Sequence, residues 1–341
     1  MKSLRILALM HKDLVPPESI EGLPYKEVQP YKTEYDILAA LEALGHEVHS
    51  LGVHDDLSVL RAALTEFKPH LTFNILEEFH DVSLYGQAVI SYLELMRAPY
   101  SGCNPRGLML AHDKPLAKKI LMYHRIRTPR FAVVPVGGRI KRPARLGFPL
   151  IVKSAVEDAS LGISKASVVK TDEKLQERIK FMHDQFGTDV MIEEFIPGRE
   201  LYVGVIGNQR LKVLPIWEMN FDKWEEGAPR LATSRVKWDP HYQEDKGITT
   251  GPAQNLDATT EREIVRVCKS AYRALGLSGY ARMDLRLGED GHVYLIEPNA
   301  NPDLGSDEDF ARSAEAAGIP YDELIDRIVK LGLAWRPAWK G

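Results

Sequence analysis

The first third of the chain alternates apolar runs of strand length with 3.6-residue apolar periods of helical length. The predicted elements are, in order, a strand at 4–10, a helix at 35–44, a strand at 47–53, a helix at 58–67, a strand at 70–75 and a helix near 87–96. Alternation of this kind indicates parallel strands that are covered by helices. We therefore expect residues 1–106 to form an open α/β domain.

Beyond a helix predicted at 114–124, strands and helices no longer alternate strictly, which favours a small α+β domain over 107–195. Its predicted elements are strands at 130–136, 150–154, 164–169 and 189–195 and a helix at 172–186. The third region, 196–341, has predicted strands at 200–206, 211–217, 279–287 and 292–297 and predicted helices at 259–275, 307–317 and 321–331.

The stretch 219–254 interrupts this pattern, because it is rich in Lys, Asp, Pro, Gly and Trp and shows no apolar period. A connection of that length in a compact protein is usually either disordered or a functional lid. The sequence is compatible with both interpretations.

Charge and composition narrow the classes of function. The 341 residues include 44 Lys and Arg against 48 Asp and Glu, a net charge of −4, which argues against electrostatic binding of nucleic acid. No apolar run approaches the roughly 18 residues that a membrane span needs. Cys103 and Cys268 lie far apart without metal-ligand spacing, so we expect a cytoplasmic protein without disulfides.

The strongest local signal lies in the last predicted pair of strands. Arg282 and Asp284 point to one face of the first strand, as Glu297 and Asn299 do in the second, because side chains two residues apart share a face. If the turn at 288–291 joins the strands as a hairpin, these groups converge into an oxygen-rich site suited to Mg²⁺. The alternative is a cross-strand ion pair on the surface.

Two lysines and an acidic segment extend this signal. Lys114 opens a predicted helix, and Lys153 ends the apolar strand 149–153 ahead of a loop of small residues, a position suited to nucleotide phosphates. Taken alone, a lysine in either position is more often just a solvated side chain. The segment 190–200 runs from an apolar strand into two glutamates and a Pro-Gly turn, which a hinge between domains would also show.

In this order, the segments resemble the ATP-grasp superfamily, most closely its D-alanine–D-alanine ligase-like branch of carboxylate–amine ligases. The resemblance covers nearly all of the chain from Pro99 onward and, more loosely, the part before it. It implies a three-domain ATP-grasp fold of α/β and α+β architecture. The implied units are an N-terminal open parallel α/β domain at 1–106, a central ATP-grasp subdomain at 107–195 and a C-terminal ATP-grasp subdomain with the metal site at 196–341.

The resemblance also implies roles for individual residues. The residues implied for ATP phosphates, the adenine hinge and the ribose are Lys114, Lys153, Glu193, Glu194, Phe195, Ile196 and Glu200. The implied ligands of Mg²⁺, with Mn²⁺ as an alternative ion, are Asp284, Glu297 and Asn299. The implied catalytic residues are Arg282 at the reacting phosphate, Lys237 in a Lys-aromatic pair of the substrate loop, and Ser160 in the phosphate loop.

The chain departs from the family after the metal site. Ligases that join two D-alanines carry a small-residue segment there that holds the second carboxylate, whereas this chain carries four acids between 303 and 309. These acids would repel a carboxylate. They either receive an amine or a cationic acceptor, or they cap the helix that begins near Glu308.

The other departures concern the phosphate loop and the first domain. The loop 154–162 keeps one glycine, so backbone N–H groups of 159–161 would cradle the phosphate. Glu18 or Glu34 would replace the family's anchor for a substrate amine. The segment 77–81 has metal-ligand residue types in a spacing that fits no ligand pattern, and we interpret it as a substrate-facing loop.

We therefore expect an ATP-dependent ligase that joins a carboxylate to an amine through an acyl phosphate and releases ADP and phosphate. Its partners would be small-molecule carboxylates and amines, without nucleic acid or membrane, and the resemblance alone implies a homodimer. Two alternatives stay open. One is an ATP-grasp phosphotransferase whose phosphorylated substrate is the product, and the other is a non-catalytic nucleotide-binding regulatory module.

Overall fold

The computed structural model describes residues 3–156, 163–224 and 229–337. Within those ranges it contains three β-sheets, with helices that cover or connect them. No helix in the described part of the chain is both long and apolar enough to cross a membrane. Residues 157–162 of the predicted phosphate loop 154–162, Ser160 among them, lie outside the described residues.

The first sheet is parallel, as predicted for the N-terminal region. Its strands are β1 (Arg5–His11), β2 (Glu47–Val53) and β3 (Leu71–Asn74), in the order β2-β1-β3. The helices along this part of the chain are α1 (Tyr25–Val28), α2 (Lys32–Ala43), α3 (Leu57–Glu66) and α4 (Gly86–Leu95). Because the strands are parallel, the segments that follow them meet at one edge of the sheet.

The second sheet is antiparallel. Helices α5 (Pro105–His112), which the sequence did not predict, and α6 (Lys114–Tyr123) precede it. Its elements are β4 (Phe131–Val134), β5 (Leu150–Ser154), β6 (Val168–Val169), helix α7 (Asp172–Phe186) and β7 (Val190–Glu194), with strand order β4-β7-β5-β6. The strand predicted at 164–169 is shorter than expected, because Lys165–Ser167 forms a 3-10 turn that Ser164 and Ser167 close by reciprocal hydrogen bonds.

The third sheet is also antiparallel and carries most of the predicted site. Its strands are β8 (Gly198–Ile206), β9 (Lys212–Val213), β10 (Trp217–Phe221), β11 (Ile248–Pro252), β12 (Tyr280–Gly288) and β13 (Val293–Ala300). Their order is β11-β10-β8-β12-β13, and β9 pairs with β8. The helices of this region are α8 (Ser234–Trp238), α9 (Pro240–Lys246), α10 (Ala258–Ala274), α11 (Asp309–Ala316) and α12 (Tyr321–Ala334).

The structure corrects the prediction for the strand at 211–217 and gives the conformation of the described residues of 219–254. The strand predicted at 211–217 is divided into β9 and β10, with Pro215 between them, since proline lacks the N–H that a strand ladder needs. The described residues of 219–254 are not disordered, because β11 pairs with β10 along its whole length. The apolar residues that pack there, such as Phe221, Val236 and Ile248, are too widely spaced in the sequence to show a period.

Helix α12 returns from the third region to the first sheet and packs against α2 and β3. A Cβ atom at Gly332 would lie 2.5 Å from the carbonyl oxygen of Tyr100, so helix and chain are in close contact there. One hydrophobic cluster joins Phe73 of β3 to Phe310 of α11 and Ile325 of α12. The two ends of the chain therefore share a core.

Candidate active site

The hairpin of β12 and β13 brings the predicted metal ligands together. Asp284 lies opposite Glu297, and Arg282 lies opposite Asn299, in antiparallel register. The Nε and Nη2 atoms of Arg282 donate to the two carboxylate oxygens of Asp284, at 2.7 and 3.0 Å. This ion pair is not on the surface, because Asp284 is only 6% exposed.

The surroundings of the two carboxyl groups change their pKa values in opposite directions. Burial raises the pKa of Asp284, although its ion pair acts against burial. Burial would also raise the pKa of Glu297, but nearby positive charges outweigh it and lower the pKa to about 2. The largest of these charges belong to Lys114, Lys153 and Lys237. Glu297 is therefore ionised at neutral pH.

The residues at this face of the hairpin fit a hard divalent cation. Carboxylate and amide oxygens are the ligands that Mg²⁺ accepts from proteins, together with water and phosphate. The Nδ2 atom of Asn299 is buried and has no hydrogen-bond partner among the described residues, so no hydrogen bond to a described group holds the amide nitrogen in place. Asp284, Glu297 and Asn299 together could hold one Mg²⁺ ion.

A second charged cluster lies between α6 and the second sheet. Lys153 Nζ is 2.7 Å from one carboxylate oxygen of Glu193, and Lys118 Nζ is 3.0 Å from the other. All three side chains are buried. Burial would raise the pKa of Glu193, but the two lysine charges outweigh it and lower the pKa. Of the two lysines, Lys153 is the candidate for a phosphate, because it also lines the cleft between the sheets, whereas burial lowers the pKa of Lys118.

The second and third sheets face each other across a cleft, which we call the central cleft. Nine predicted site residues line it: Lys153, Glu193, Glu194, Phe195, Ile196, Glu200, Lys237, Asp284 and Glu297. Apolar side chains from both sheets, including Ile151 and Ile296, also line the cleft. Apolar walls with a few charged groups between them are typical of a small-molecule site.

The remaining predicted residues either border the cleft or lie outside the described residues. Lys114 is buried and close enough to Glu297 to lower the pKa of that carboxyl. Arg282 contacts the cleft through Asp284, and its guanidinium also lies 5.1 Å from the centre of the Tyr202 ring. Of the catalytic residues predicted from the sequence, Ser160 alone lies outside the described residues.

Glu200, predicted to hold the ribose, is itself held by two neighbours. The Tyr202 hydroxyl donates to Oε1 at 3.0 Å, and Arg286 Nη2 donates to Oε2 at 2.6 Å. The Arg286 guanidinium also lies 5.3 Å from the centre of the Phe195 ring, at the predicted hinge. Arg286 therefore connects the ribose candidate to the adenine candidate.

Three site residues were missed in the sequence: Lys118, Tyr202 and Arg286. Each could have been found from its spacing to a residue that was predicted. Lys118 follows Lys114 by four residues on α6, so the two share a helix face. Tyr202 follows Glu200, and Arg286 follows Asp284, by two residues on a strand, which gives each pair a common face.

The acidic segment 303–309 docks on helix α2 of the first region. Asp303 Oδ1 accepts a hydrogen bond from Thr33 Oγ1 at 2.7 Å, and Asp307 Oδ1 lies 3.1 Å from Lys32 Nζ. These contacts use two of the four acids to join the first and third regions of the chain.

The other two acids flank the start of α11. Asp309 Oδ1 accepts from Thr250 Oγ1 of β11 at 2.5 Å. Glu308 occupies the N-cap position, but its side chain forms no capping hydrogen bond, so helix capping does not account for it. Burial, followed by the adjacent carboxylates, raises the pKa of Glu308 to about 7.

The first region contributes one further buried acid. Of the two anchor candidates, Glu18 is exposed and Glu34 is 5% exposed. Burial raises the pKa of Glu34 to about 7, and the charges of Asp303 and Glu77 add to this effect. Acidic groups from α2 and from 303–309 thus lie within electrostatic reach of one another.

Comparisons with known proteins match most of the chain to one family. The family model described as "D-ala D-ala ligase C-terminus" matches residues 128–330. The D-alanine–D-alanine ligase of Desulfotalea psychrophila is 32% identical over 263 residues, which are 76% of this chain and 78% of that protein.

Two solved structures have the same fold. The D-alanine–D-alanine ligase of Bacillus anthracis complexed with ATP matches with a TM-score of 0.75 at 24% identity and covers 97% of this chain and 98% of its own. The VanG D-Ala:D-Ser ligase of Enterococcus faecalis matches with a TM-score of 0.70 at 18% identity and covers 97% of this chain and 100% of its own.

Proposed function

The chain belongs to the D-alanine–D-alanine ligase family and is an ATP-dependent carboxylate–amine ligase, and on this premise we propose which residues carry the reaction and which acceptor it takes. The observation that supports the residue assignment is the central cleft, where nine predicted residues meet from the second sheet, the third sheet and the segments between their strands. We assign ATP to this cleft, with its adenine at the hinge 193–196.

In the first step, a carboxylate oxygen of the donor attacks the γ-phosphorus of ATP. The bond between that phosphorus and the bridging oxygen of ADP breaks, which leaves an acyl phosphate and ADP. Lys114 and Lys153 neutralise the phosphate oxygens as point charges. Asp284, Glu297 and Asn299 would hold Mg²⁺, which when bound supplies further neutralisation of phosphate charge.

In the second step, the acceptor amine attacks the acyl carbon, the amine loses a proton, and inorganic phosphate leaves. Negative charge develops on the former carbonyl oxygen in the tetrahedral intermediate. Arg282 would stabilise this charge, and Asp284 and Tyr202 already fix the direction of its guanidinium. A positive group that is oriented before the reaction needs little reorganisation during it.

We propose an acceptor that presents a positive charge, not a carboxylate, to the acidic segment 303–309. The support is the position of Glu308, whose side chain makes no capping hydrogen bond at the start of α11. It lies within electrostatic reach of Arg282 on the catalytic hairpin and of Asp303 and Asp309 in its own segment. An ammonium group beside them would be attracted, whereas a second carboxylate would be repelled.

The residue assignment is tested with Asp284→Asn and Glu297→Gln, which keep side-chain size. Each should reduce ATP-dependent ADP release at least 100-fold, because oriented charge at the transferring phosphate supplies several kcal/mol of catalysis. Glu289→Gln is the control, since Glu289 is exposed in the turn of the same hairpin. Normal turnover in both variants would show that the metal assignment is wrong.

The acceptor proposal is tested by ADP release and mass spectrometry of products, with D-alanine as the donor. D-alanine alone should support little product, and acceptors with an amine but no free carboxylate should support more. Glu308→Gln should weaken the apparent affinity for such acceptors more than it slows turnover. Efficient formation of the dipeptide from D-alanine alone would contradict the proposal.

A further inference from the structure

Three side chains with metal-binding atoms meet at the carboxyl edge of the first sheet, and no step of the proposed reaction is assigned to any of them. His11 is the last residue of β1, His54 directly follows β2, and Asp81 lies in the segment after β3. One ring nitrogen of each histidine and one carboxylate oxygen of Asp81 lie within 4.8 Å of one another. The parallel order of the strands brings these three segments to one edge.

His54 is held by a carboxylate at each ring nitrogen. Its Nε2 atom is 3.0 Å from Asp81 Oδ1, and its Nδ1 atom is 3.3 Å from Asp55 Oδ2. Metal-bound histidines commonly donate their second N–H to a carboxylate, which orients the ring and raises its basicity. With Asp55 in that position, the Nε2 lone pair of His54 is available on the side of Asp81.

His11 has a buried nitrogen that the described residues do not satisfy. The residue is 8% exposed, and its Nε2 atom has no hydrogen-bond partner in the described part of the chain. Its Nδ1 atom lies 3.3 Å from the backbone N of Asp13 and 3.7 Å from the Asp13 carboxylate. A buried polar nitrogen without a partner costs free energy, which a bound cation would offset.

The backbone holds Asp81 in place at a conformational cost. His80 and Asp81 have φ values of +59° and +57°, a left-handed conformation that residues with a Cβ seldom adopt. The N–H of His80 donates to the carbonyl oxygen of His54 at 2.6 Å. This bond fastens the segment after β3 to the end of β2.

We propose that His11, His54 and Asp81 bind a divalent transition-metal ion of the Zn²⁺ class, separate from the Mg²⁺ ligands of the hairpin. Two imidazoles and one carboxylate are a donor set for Zn²⁺, Co²⁺ or Fe²⁺, whereas Mg²⁺ prefers oxygen alone. The Asp81 side chain is 73% exposed, so water can complete the coordination. The ion would tie together the chain segments at the ends of all three strands.

The test uses the full-length protein, stripped with a chelator and titrated with Zn²⁺ or Co²⁺ in excess Mg²⁺. One equivalent should bind, and Co²⁺ should show visible absorption bands of nitrogen and oxygen ligation. Zn²⁺ at about 100 times its Kd should raise Tm by roughly 3–6 °C. Asp284→Asn should bind the same equivalent, which separates this site from the catalytic one.

Two variants decide the assignment. His54→Gln and Asp81→Asn should each weaken Zn²⁺ binding by more than the roughly 10- to 100-fold that loss of an outer-shell partner causes. His49→Gln is the matched control, because His49 is exposed on β2 and its ring lies beside Phe67. Asp81→Asn is the more decisive variant, since its largely exposed side chain can be changed without disturbing the core.

Two results would overturn the proposal. One is the absence of a tightly bound equivalent in the wild type, which would leave His54 and Asp81 as an ordinary ion pair. The other is unchanged Zn²⁺ binding in both variants, with the Co²⁺ spectrum also unchanged. Neither result depends on ligase activity, so the proposed function stands or falls separately.

Discussion

Glu193 shows at the scale of a single residue how this protein keeps charge inside its core. Its carboxylate is 2% exposed and lies between the ammonium groups of Lys118 and Lys153. Removal of the carboxylate would leave two like charges buried together. Buried ion pairs are costly to break for this reason, even where the intact pair contributes little.

We therefore expect Glu193→Gln to lower the free energy of unfolding by about 3–5 kcal/mol, as measured by urea denaturation. Adding Lys118→Met should recover part of the loss, because one buried charge then disappears. Glu177→Gln is the control: its ion pair with Lys174 is exposed, so its loss should cost less than about 1 kcal/mol. If Glu193→Gln and Glu177→Gln lowered the free energy of unfolding equally, the burial of the Glu193 cluster would be contradicted.

Ionisation of Glu34 makes the free energy of unfolding depend on pH. Burial raises the pKa of this carboxyl from 4.5 to about 7. Between these values the folded protein holds a proton that the unfolded chain has lost. Stability therefore falls as pH rises through this window, by up to about 1.4 kcal/mol per pH unit from this group.

We expect Glu34→Gln to reduce that slope, because the amide cannot ionise, while Glu308, whose pKa is also raised to about 7, still contributes to it. The free energy of unfolding should be measured at several pH values between the two pKa values. Glu42→Gln, at an exposed position of the same helix, should keep the slope of the wild type. A wild type whose stability rises across the window would show that Glu34 is not the dominant group.

The bounds of single helices are set largely by the capping residues at their ends. Helix α7 was predicted with the bounds that the structure shows, because Thr171 caps its first turn and Gly187 stops it in a left-handed conformation. The short helix α5 was missed, although Asn104 caps it and Pro105 begins it. Capping residues are thus informative here even for an element of eight residues.

Helix α10 provides a test of capping. Asp257 Oδ1 accepts hydrogen bonds from the N–H groups of Thr259 and Thr260, at 2.8 and 3.0 Å. Asp257→Ala should lower the free energy of unfolding by about 1 kcal/mol, and Asp257→Ser should restore most of it. Urea denaturation of the three proteins makes the comparison. Equal stability of all three would mean that this cap contributes nothing.

At the scale of the whole molecule, the packing of α12 against the first sheet joins the third region of the chain to the first. Gly332 has no room for a side chain, since a Cβ would meet the Tyr100 carbonyl oxygen at 2.5 Å and Leu71 Cδ1 at 2.9 Å. We expect Gly332→Ala to lower the free energy of unfolding by about 1–3 kcal/mol. Gly251→Ala is the control, because nothing lies within 4 Å of its added Cβ. A neutral Gly332→Ala would mean that α12 can shift outward freely.

At this scale, the sequence predicted more of the fold than of the site. The parallel first sheet and the β12–β13 hairpin are confirmed, because strand alternation and a Gly-bounded turn are local patterns. The structure of 219–254 could not be predicted, since its strand β11 is held by pairing with β10 and not by an apolar period of its own. The domain boundaries and the roles of the site residues stay predictions.

The sequence by itself determined the periodicity of each element, the order of the site motifs and the shared face of Arg282 and Asp284. These features depend on residues that are close along the chain, where geometry follows directly from spacing. Only the tertiary structure decided that Lys118 joins Lys153 at one carboxylate, that α12 covers the first sheet, and that His11, His54 and Asp81 meet. Those contacts join distant segments, and they exist because burying apolar faces brings the sheets and helices into one arrangement.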